Sequence, residues 1–186
     1  TLPELYESLK KQTNKDFDWL IIDDGSTDGT GELVKKFIDE QDKKTTASDS
    51  NTFGIEYHFQ ENAGKHVALN NGITIAKGEL IFIVDSDDRL SENAARTILE
   101  FHEKYKDRKE ELKLCGFSFL RAYSDGTVNE REFPVDEAVD TYRQQRINNN
   151  LLGDKAEVYY TDILKKYPFE VDRDRKSGSA GMPRPI

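Results

Sequence analysis

The sequence predicts an α/β domain, a mainly parallel central sheet with helices packed against it. Three observations carry this expectation. Two continuous apolar runs, Leu20-Ile21-Ile22 and Leu80-Ile81-Phe82-Ile83-Val84, are too short for buried helices and read as strands covered on both faces. Each runs straight into acids, Asp23-Asp24 and Asp85-Ser86-Asp87-Asp88, and in open α/β sheets ligands gather beyond the carboxyl ends of strands. Strand patterns also alternate with helical patterns through the first hundred residues, as right-handed crossovers require.

Taken in order, Pro3 suits a first helical turn, and Leu2, Leu5 and Leu9 share one face. Residues 17–23 follow as a strand. Asp28 or Thr30 can cap the next helix, whose inward positions are Leu33, Val34, Phe37 and Ile38. Residues 42–52 form a polar loop, and 53–59 alternate like a strand. Asn62-Ala63-Gly64 opens a helix carrying Leu69, Ile73 and Ala76, which Lys77-Gly78 closes. After a strand over 79–85, Ser91 caps a helix bearing Ala95, Ile98, Leu99 and His102. Residues 114–123 read as a long strand and Ser124-Asp125-Gly126-Thr127 as a hairpin turn. A polar helical segment over 141–151, a short strand over 156–160 and a helix capped by Thr161 over Ile163 and Leu164 complete the pattern. One domain therefore spans 1–170, and residues 171–186 read as a disordered tail.

Composition sets the bounds. The 186 residues, 35% hydrophobic and 34% charged, suit one domain that buries roughly 70% of its unfolded surface. A net charge of −9 argues against nucleic acid or an anionic membrane as a main partner. Neither a signal peptide nor an 18-residue apolar stretch is present, so the sequence reads as cytoplasmic, or docked at the inner face of a membrane. The single cysteine, Cys115, excludes an internal disulfide and a cysteine metal site, and reads as a buried strand residue.

The acid clusters have a chemistry of their own. Carboxylates repel phosphate, so an acidic rim facing a diphosphate makes sense only with a divalent metal between them. Mg²⁺ typically uses one or two protein carboxylates together with phosphate oxygens and waters. The spacing Asp85-x-Asp87 past a strand end can aim one carboxylate at a ribose and the next at a metal. A turn of ordinary helix-capping acids would explain one such cluster, but explains two at separate strand ends poorly. Asp24, Ser26, Asp28 and Gly29 match the start of a calcium-binding EF-hand loop. The position that should hold a bidentate Glu is Lys35, however, and a strand precedes the loop. His58 and His102 lack metal-ligand spacing, and His66 reads as a polar helix start. Trp19, Tyr57 and Phe82 read as core, and one of the pair Tyr159 and Tyr160 as facing the core.

Three ordered motifs carry a family resemblance. Residues 19–30 (WLIIDDGSTDGT), then 62–66 (NAGKH) with 68–72 (ALNNG), then 76–88 (AKGELIFIVDSDD) resemble family 2 glycosyltransferases over residues 1–105. The resemblance implies the GT-A fold, a Rossmann-like three-layer α/β/α sandwich. It also implies a nucleotide-sugar-binding half over 1–105, an acceptor-side half over 106–170 and inversion at the anomeric carbon. Carried over by position, Asp24, with Asp23 beside it, would contact the nucleotide. Lys65 would approach the nucleotide, Asp85 would face the ribose or sugar, and Asp87 and Asp88 would hold Mg²⁺ or Mn²⁺. Residues 153–159 (GDKAEVY) resemble the acceptor-side segment of bacterial members, and Asp154 is the acid nominated there as catalytic base, although a plain turn residue after Gly153 is the stronger reading.

The partners so implied are a UDP-sugar donor and a saccharide or lipid-linked acceptor in surface polysaccharide biosynthesis, with peripheral membrane association. Two departures stand out: the family's opening strand, of the type VSVIIPxYN, and its acidic base motif beyond the acceptor segment have no counterpart in this sequence. The sequence therefore reads as a fragment of a longer enzyme, whose incomplete sheet predicts homo-oligomers formed through an unpaired edge. Two other readings stay open. One is a non-catalytic nucleotide-sugar-binding remnant. The other is a sugar-nucleotide pyrophosphorylase, which would need a Gly-rich basic loop near its start.

Overall fold

The computed structural model describes residues 1–46, 52–123, 125–128, 135–141, 143–148 and 154–171. Helix α1 (Leu2–Lys10) buries Leu5, Tyr6 and Leu9, the stripe that the leucine spacing predicts. These side chains form one core with Phe37 and Phe53, and Trp19, Leu33 and Ile55 pack around it. Tyr6 stacks on Phe37 at 4.1 Å between ring centroids, a favourable offset-stacking distance for buried aromatics.

Strands β1 (Asp18–Asp24) and β2 (Gly54–Gln60) pair in parallel, from Asp18 opposite Gly54 to Asp24 opposite Gln60. The crossover is α2 (Thr30–Thr46), started by Asp28, whose carboxylate accepts from the Thr30 amide at 3.2 Å and hydroxyl at 2.6 Å. The helix outlasts its predicted end at residue 41. Gln41 is buried and donates to the Tyr6 hydroxyl at 3.0 Å, which holds the last turns on the core.

Helix α3 (Lys65–Ile75) starts from Gly64, the last residue of the predicted opening Asn62-Ala63-Gly64, and buries Ala68 and Ile73. Strand β3 (Leu80–Phe82) is shorter than the predicted 79–85. The run packs on two sides: Ile81 and Ile83 on Ile73, Leu164 and Phe169, and Val84 on the α1 core. Helix α4 (Ala94–Tyr105) is capped at Asn93, not Ser91, and buries His102.

Beyond a 3₁₀ turn and the short α5 (Lys109–Leu112) lies β4 (Gly116–Leu120). The hairpin turn predicted after it is present: the Tyr123 amide donates to the Thr127 carbonyl at 2.8 Å, and Ala122 bridges Val128. The polar helical segment is a π-helical turn, Gln144–Asn148. Strand β5 (Lys155–Tyr160) leads into α6 (Thr161–Lys166).

The second sheet has the order β3-β5-β4, with β5 antiparallel to both neighbours. The predicted α/β class holds, and β5 is the one strand running against the rest of its sheet. Cys115 is exposed just ahead of β4, not buried in a strand, although its carbonyl accepts from the Tyr160 amide of β5 at 2.9 Å. Among the described residues no helix is long and apolar enough to cross a membrane. The tail predicted over 171–186 lies outside the described residues beyond Val171.

Candidate functional site

The carboxyl end of β1 carries two acids with different surroundings. Asp23 is buried; its Oδ2 accepts from the Tyr57 hydroxyl at 2.7 Å and its Oδ1 from the Ser26 amide at 2.8 Å. Burial pushes this carboxyl up, but the bonds from Tyr57 and Ser26 outweigh it and hold the group below the usual range. Burial, reinforced by the bond to Asp23, pushes the Tyr57 phenol up to about 12. The parallel register makes this contact possible: Phe59 lies opposite Asp23, and Tyr57, two residues earlier, falls on the same face.

Asp24 acts as a staple for the loop that enters α3. Its Oδ1 accepts from Gln60 Nε2 at 2.7 Å and from the Ala63 amide at 2.9 Å, and its Oδ2 from the Gly64 amide at 2.9 Å. Gly25 sits at φ +83°, and a Cβ there would lie 2.8 Å from the Asn62 nitrogen. The close approach of these two loops therefore requires glycine. With the loop fixed, Lys65 at the start of α3 reaches Asp85 Oδ1 at 2.5 Å.

Asp85 to Asp88 form a turn in which the Asp88 amide donates to the Asp85 carbonyl at 3.1 Å. The Asp88 carboxylate is bound by the Arg121 guanidinium. Arg121 Nη1 also lies 4.0 Å from Asp154 Oδ2, and Asp154 is 79% exposed. Behind the turn, α1 grips the chain: buried Gln12 donates to the Ser91 carbonyl at 2.7 Å and accepts from the Ala95 amide at 2.9 Å, while Ser8 Oγ accepts from the Leu90 amide at 3.1 Å.

Two chains of contacts thus converge on one turn. The first runs from Asp24 through residues 63–64 to Lys65 and Asp85, with Asp23 buried beside its origin. The second runs from Asp154 through Arg121 to Asp88. Asp87 stands between them, exposed and without a hydrogen bond or ion pair among the described residues. All seven acids and bases singled out from the sequence belong to this assembly. Tyr57, Gln60, Arg121 and Gln12 were not among them. The period-2 pattern of 53–59 is a signal that could have pointed to Tyr57, and Gln60 lies one residue beyond it.

Among the described residues no group of three or more His, Cys, Asp or Glu side chains is poised to hold a metal. A free carboxylate at Asp87 still offers the hard oxygen that Mg²⁺ or Mn²⁺ prefers, and one or two such ligands suffice where phosphate oxygens supply the rest. The donor set fits such an ion only in company with a phosphate.

Residues 1–108 match the family described as Glycosyl transferase family 2. The chain is 31% identical over 153 residues to the glycosyltransferase GlyG of Streptococcus pneumoniae, covering 82% of this chain and 46% of GlyG. It is 27% identical over 158 residues to TuaG of Bacillus subtilis, a glycosyltransferase assigned to teichuronic acid biosynthesis, covering 82% of this chain and 54% of TuaG. The chain thus spans about half the length of these curated relatives. Among solved structures, S. aureus TarS residues 1–349 in complex with UDP-GlcNAc superposes with a TM-score of 0.62 at 20% identity, covering 91% of this chain and 44% of that one. At that identity the likeness establishes the fold.

Proposed function

Because this chain belongs to glycosyl transferase family 2, we propose that it carries the donor side of an inverting, metal-assisted transfer from a UDP-sugar to a saccharide or lipid-linked acceptor in surface polysaccharide biosynthesis. The observation that carries the reading is the convergence of two contact chains on the turn 85–88, which leaves Asp87 free. The UDP-GlcNAc complex of TarS and the teichuronic acid assignment of TuaG support the donor and the pathway class.

In this reading the Asp24 staple shapes the nucleotide wall, and buried Asp23 keeps the end of β1 rigid. Lys65 and Asp85 face the nucleotide together, the lysine toward phosphate and the aspartate toward the ribose. Asp87 holds Mg²⁺ or Mn²⁺, while the neighbouring Asp88 is bound by Arg121. Such an ion, when bound, neutralises charge building on the departing diphosphate, a Lewis-acid contribution of several kcal/mol. The acceptor hydroxyl attacks the anomeric carbon from the opposite face while a carboxylate takes its proton, typically worth about 10²–10⁴-fold. Asp154, joined to the turn through Arg121, is the acid we assign to that step.

Calorimetric titration with UDP tests the donor site, with Mn²⁺ present and then with EDTA, on the wild type and Asp87→Ala. Binding is expected to require both the metal and Asp87. Equal binding in EDTA, or by the variant, would overturn the metal-assisted reading.

A further inference from the structure

The acid turn carries three aspartates, and they do not have the same freedom. Asp85 is tied to Lys65 and Asp88 to Arg121, while Asp87 alone faces solvent unpaired among the described residues. Arg121 is the residue immediately after β4, whose last rung pairs Leu120 with Lys155. Extending that register by one residue brings Arg121 beside Asp154. The register itself is tightly set, because β5 passes so close to Gly116 that any Cβ there would fall 1.9 Å from the Val158 carbonyl oxygen. Arg121 and Asp88 are each about one-third exposed, at 32% and 31%, so their charges are partly shielded from water. A guanidinium is planar, always charged and able to hold two carboxylates from one fork.

We propose that Arg121 is a positioning residue that withholds Asp88 from the metal, ties it toward the acceptor-side Asp154, and leaves Asp87 as the working metal carboxylate. The proposal rests on the metal-assisted reading above and refines it. A divalent cation arriving alone meets one free carboxylate beside a resident positive charge, and binds weakly. A cation arriving with a diphosphate brings its own oxygen ligands and needs only Asp87. Arg121 would thereby make metal binding conditional on the nucleotide, and would couple the donor turn to the strand that carries the acceptor side.

The test is the affinity for Mn²⁺ alone, read from the free-Mn²⁺ electron paramagnetic resonance signal, with thermal melts to check folding. Arg121→Gln is expected to bind Mn²⁺ about fivefold tighter than wild type, the scale of a partly exposed charge pair. Adding Asp88→Asn should abolish that gain, and Arg121→Lys should stay near wild type. A merely structural arginine would lower the melting temperature without moving Mn²⁺ affinity, and that result would overturn the proposal. So would a gain that survives Asp88→Asn, since Arg121 would then not act through Asp88. Should Arg121→Gln not fold, Asp88→Asn alone decides: Mn²⁺ affinity unchanged supports withholding, and a clear fall overturns it. Titration of the wild type and Asp87→Ala with Mn²⁺ and UDP reports separately on the donor reading, so failure of one can be told from failure of the other.

Discussion

Burial alone would favour the protonated form of Asp23, and two donors decide the matter the other way. Its folded-state pKa is depressed below 3.8, so its stabilising contribution is present above that value and is lost as pH falls through the folded value. Tyr57 behaves in the opposite sense. Its pKa is raised from 10.0 to about 12, so its contribution is complete below pH 10 and is lost as pH rises through that window. Tyr57→Phe removes the donor and leaves Asp23 Oδ2 buried without it, a loss of about 1–3 kcal/mol. The variant should melt lower at neutral pH, titrate Asp23 at a higher pKa by carboxyl NMR, and show a smaller stability change between pH 10 and 12 than the wild type. An Asp23 titration identical to wild type would show that the 2.7 Å bond does not govern the carboxylate. The position of this acid was legible in the sequence because an apolar run ends in it. Its partner was not, since a phenol in an alternating strand looks like core until the register with β1 is known.

Helix α1 shows the same logic over a longer stretch. Leu5, Leu9 and Gln12 are spaced i, i+4, i+7, so they lie on one face of the helix and its continuation. The leucines declare a buried stripe, whereas a glutamine at its end reads as the point where the stripe meets solvent. Gln12 is instead only 3% exposed, because the chain after the acid turn covers it and uses its amide. Gln12→Leu keeps the bulk, strands the Ala95 amide and leaves the Ser91 carbonyl with the Ala94 amide alone. It should lower stability by about 2 kcal/mol and weaken Mn²⁺–UDP binding, as the turn 85–88 loses its backing. Full stability with weakened binding would mean that Gln12 acts on the site alone. At β4 the controlling feature is a glycine. Gly116→Ala cannot keep the β4–β5 ladder, and should cost at least about 3 kcal/mol by overpacking, with loss of strand signal in circular dichroism. The shape of this contact was invisible in the sequence: 34 residues separate Leu120 from Lys155, and the turn signal at 124–127 closes a different, smaller bridge.

At the scale of the whole molecule, the described strands form two sheets with two cores. One core gathers α1, α2 and Phe53; the other gathers Ile73, Leu164 and Phe169. Helix α3 links them, with Gly72 close against Ile22 of β1 and Asn70 fixed to Phe169. The alternation of strands and helices made the α/β class legible in the sequence, where one central sheet was expected rather than two. The link did not show, because nothing in the sequence pairs Asn70, inside the 68–72 motif, with Phe169 far along the chain. Its amide donates to the Phe169 carbonyl at 2.9 Å, and its Oδ1 accepts from the Phe169 amide at 2.8 Å, a bidentate clasp across 99 residues. The acids of the candidate site come from both sheets, Asp23 and Asp24 from β1 and the turn 85–88 from beyond the end of β3. The Lys65–Asp85 contact therefore depends on α3 keeping the sheets in place. Asn70→Ala should remove about 1–3 kcal/mol and act unevenly. Native-state hydrogen exchange should speed up in α6 and at residues 167–169, while the β1–β2 amides keep their protection. A uniform acceleration across both sheets would instead mean that they open as a single unit, and that the clasp contributes to global stability rather than to the seam between them.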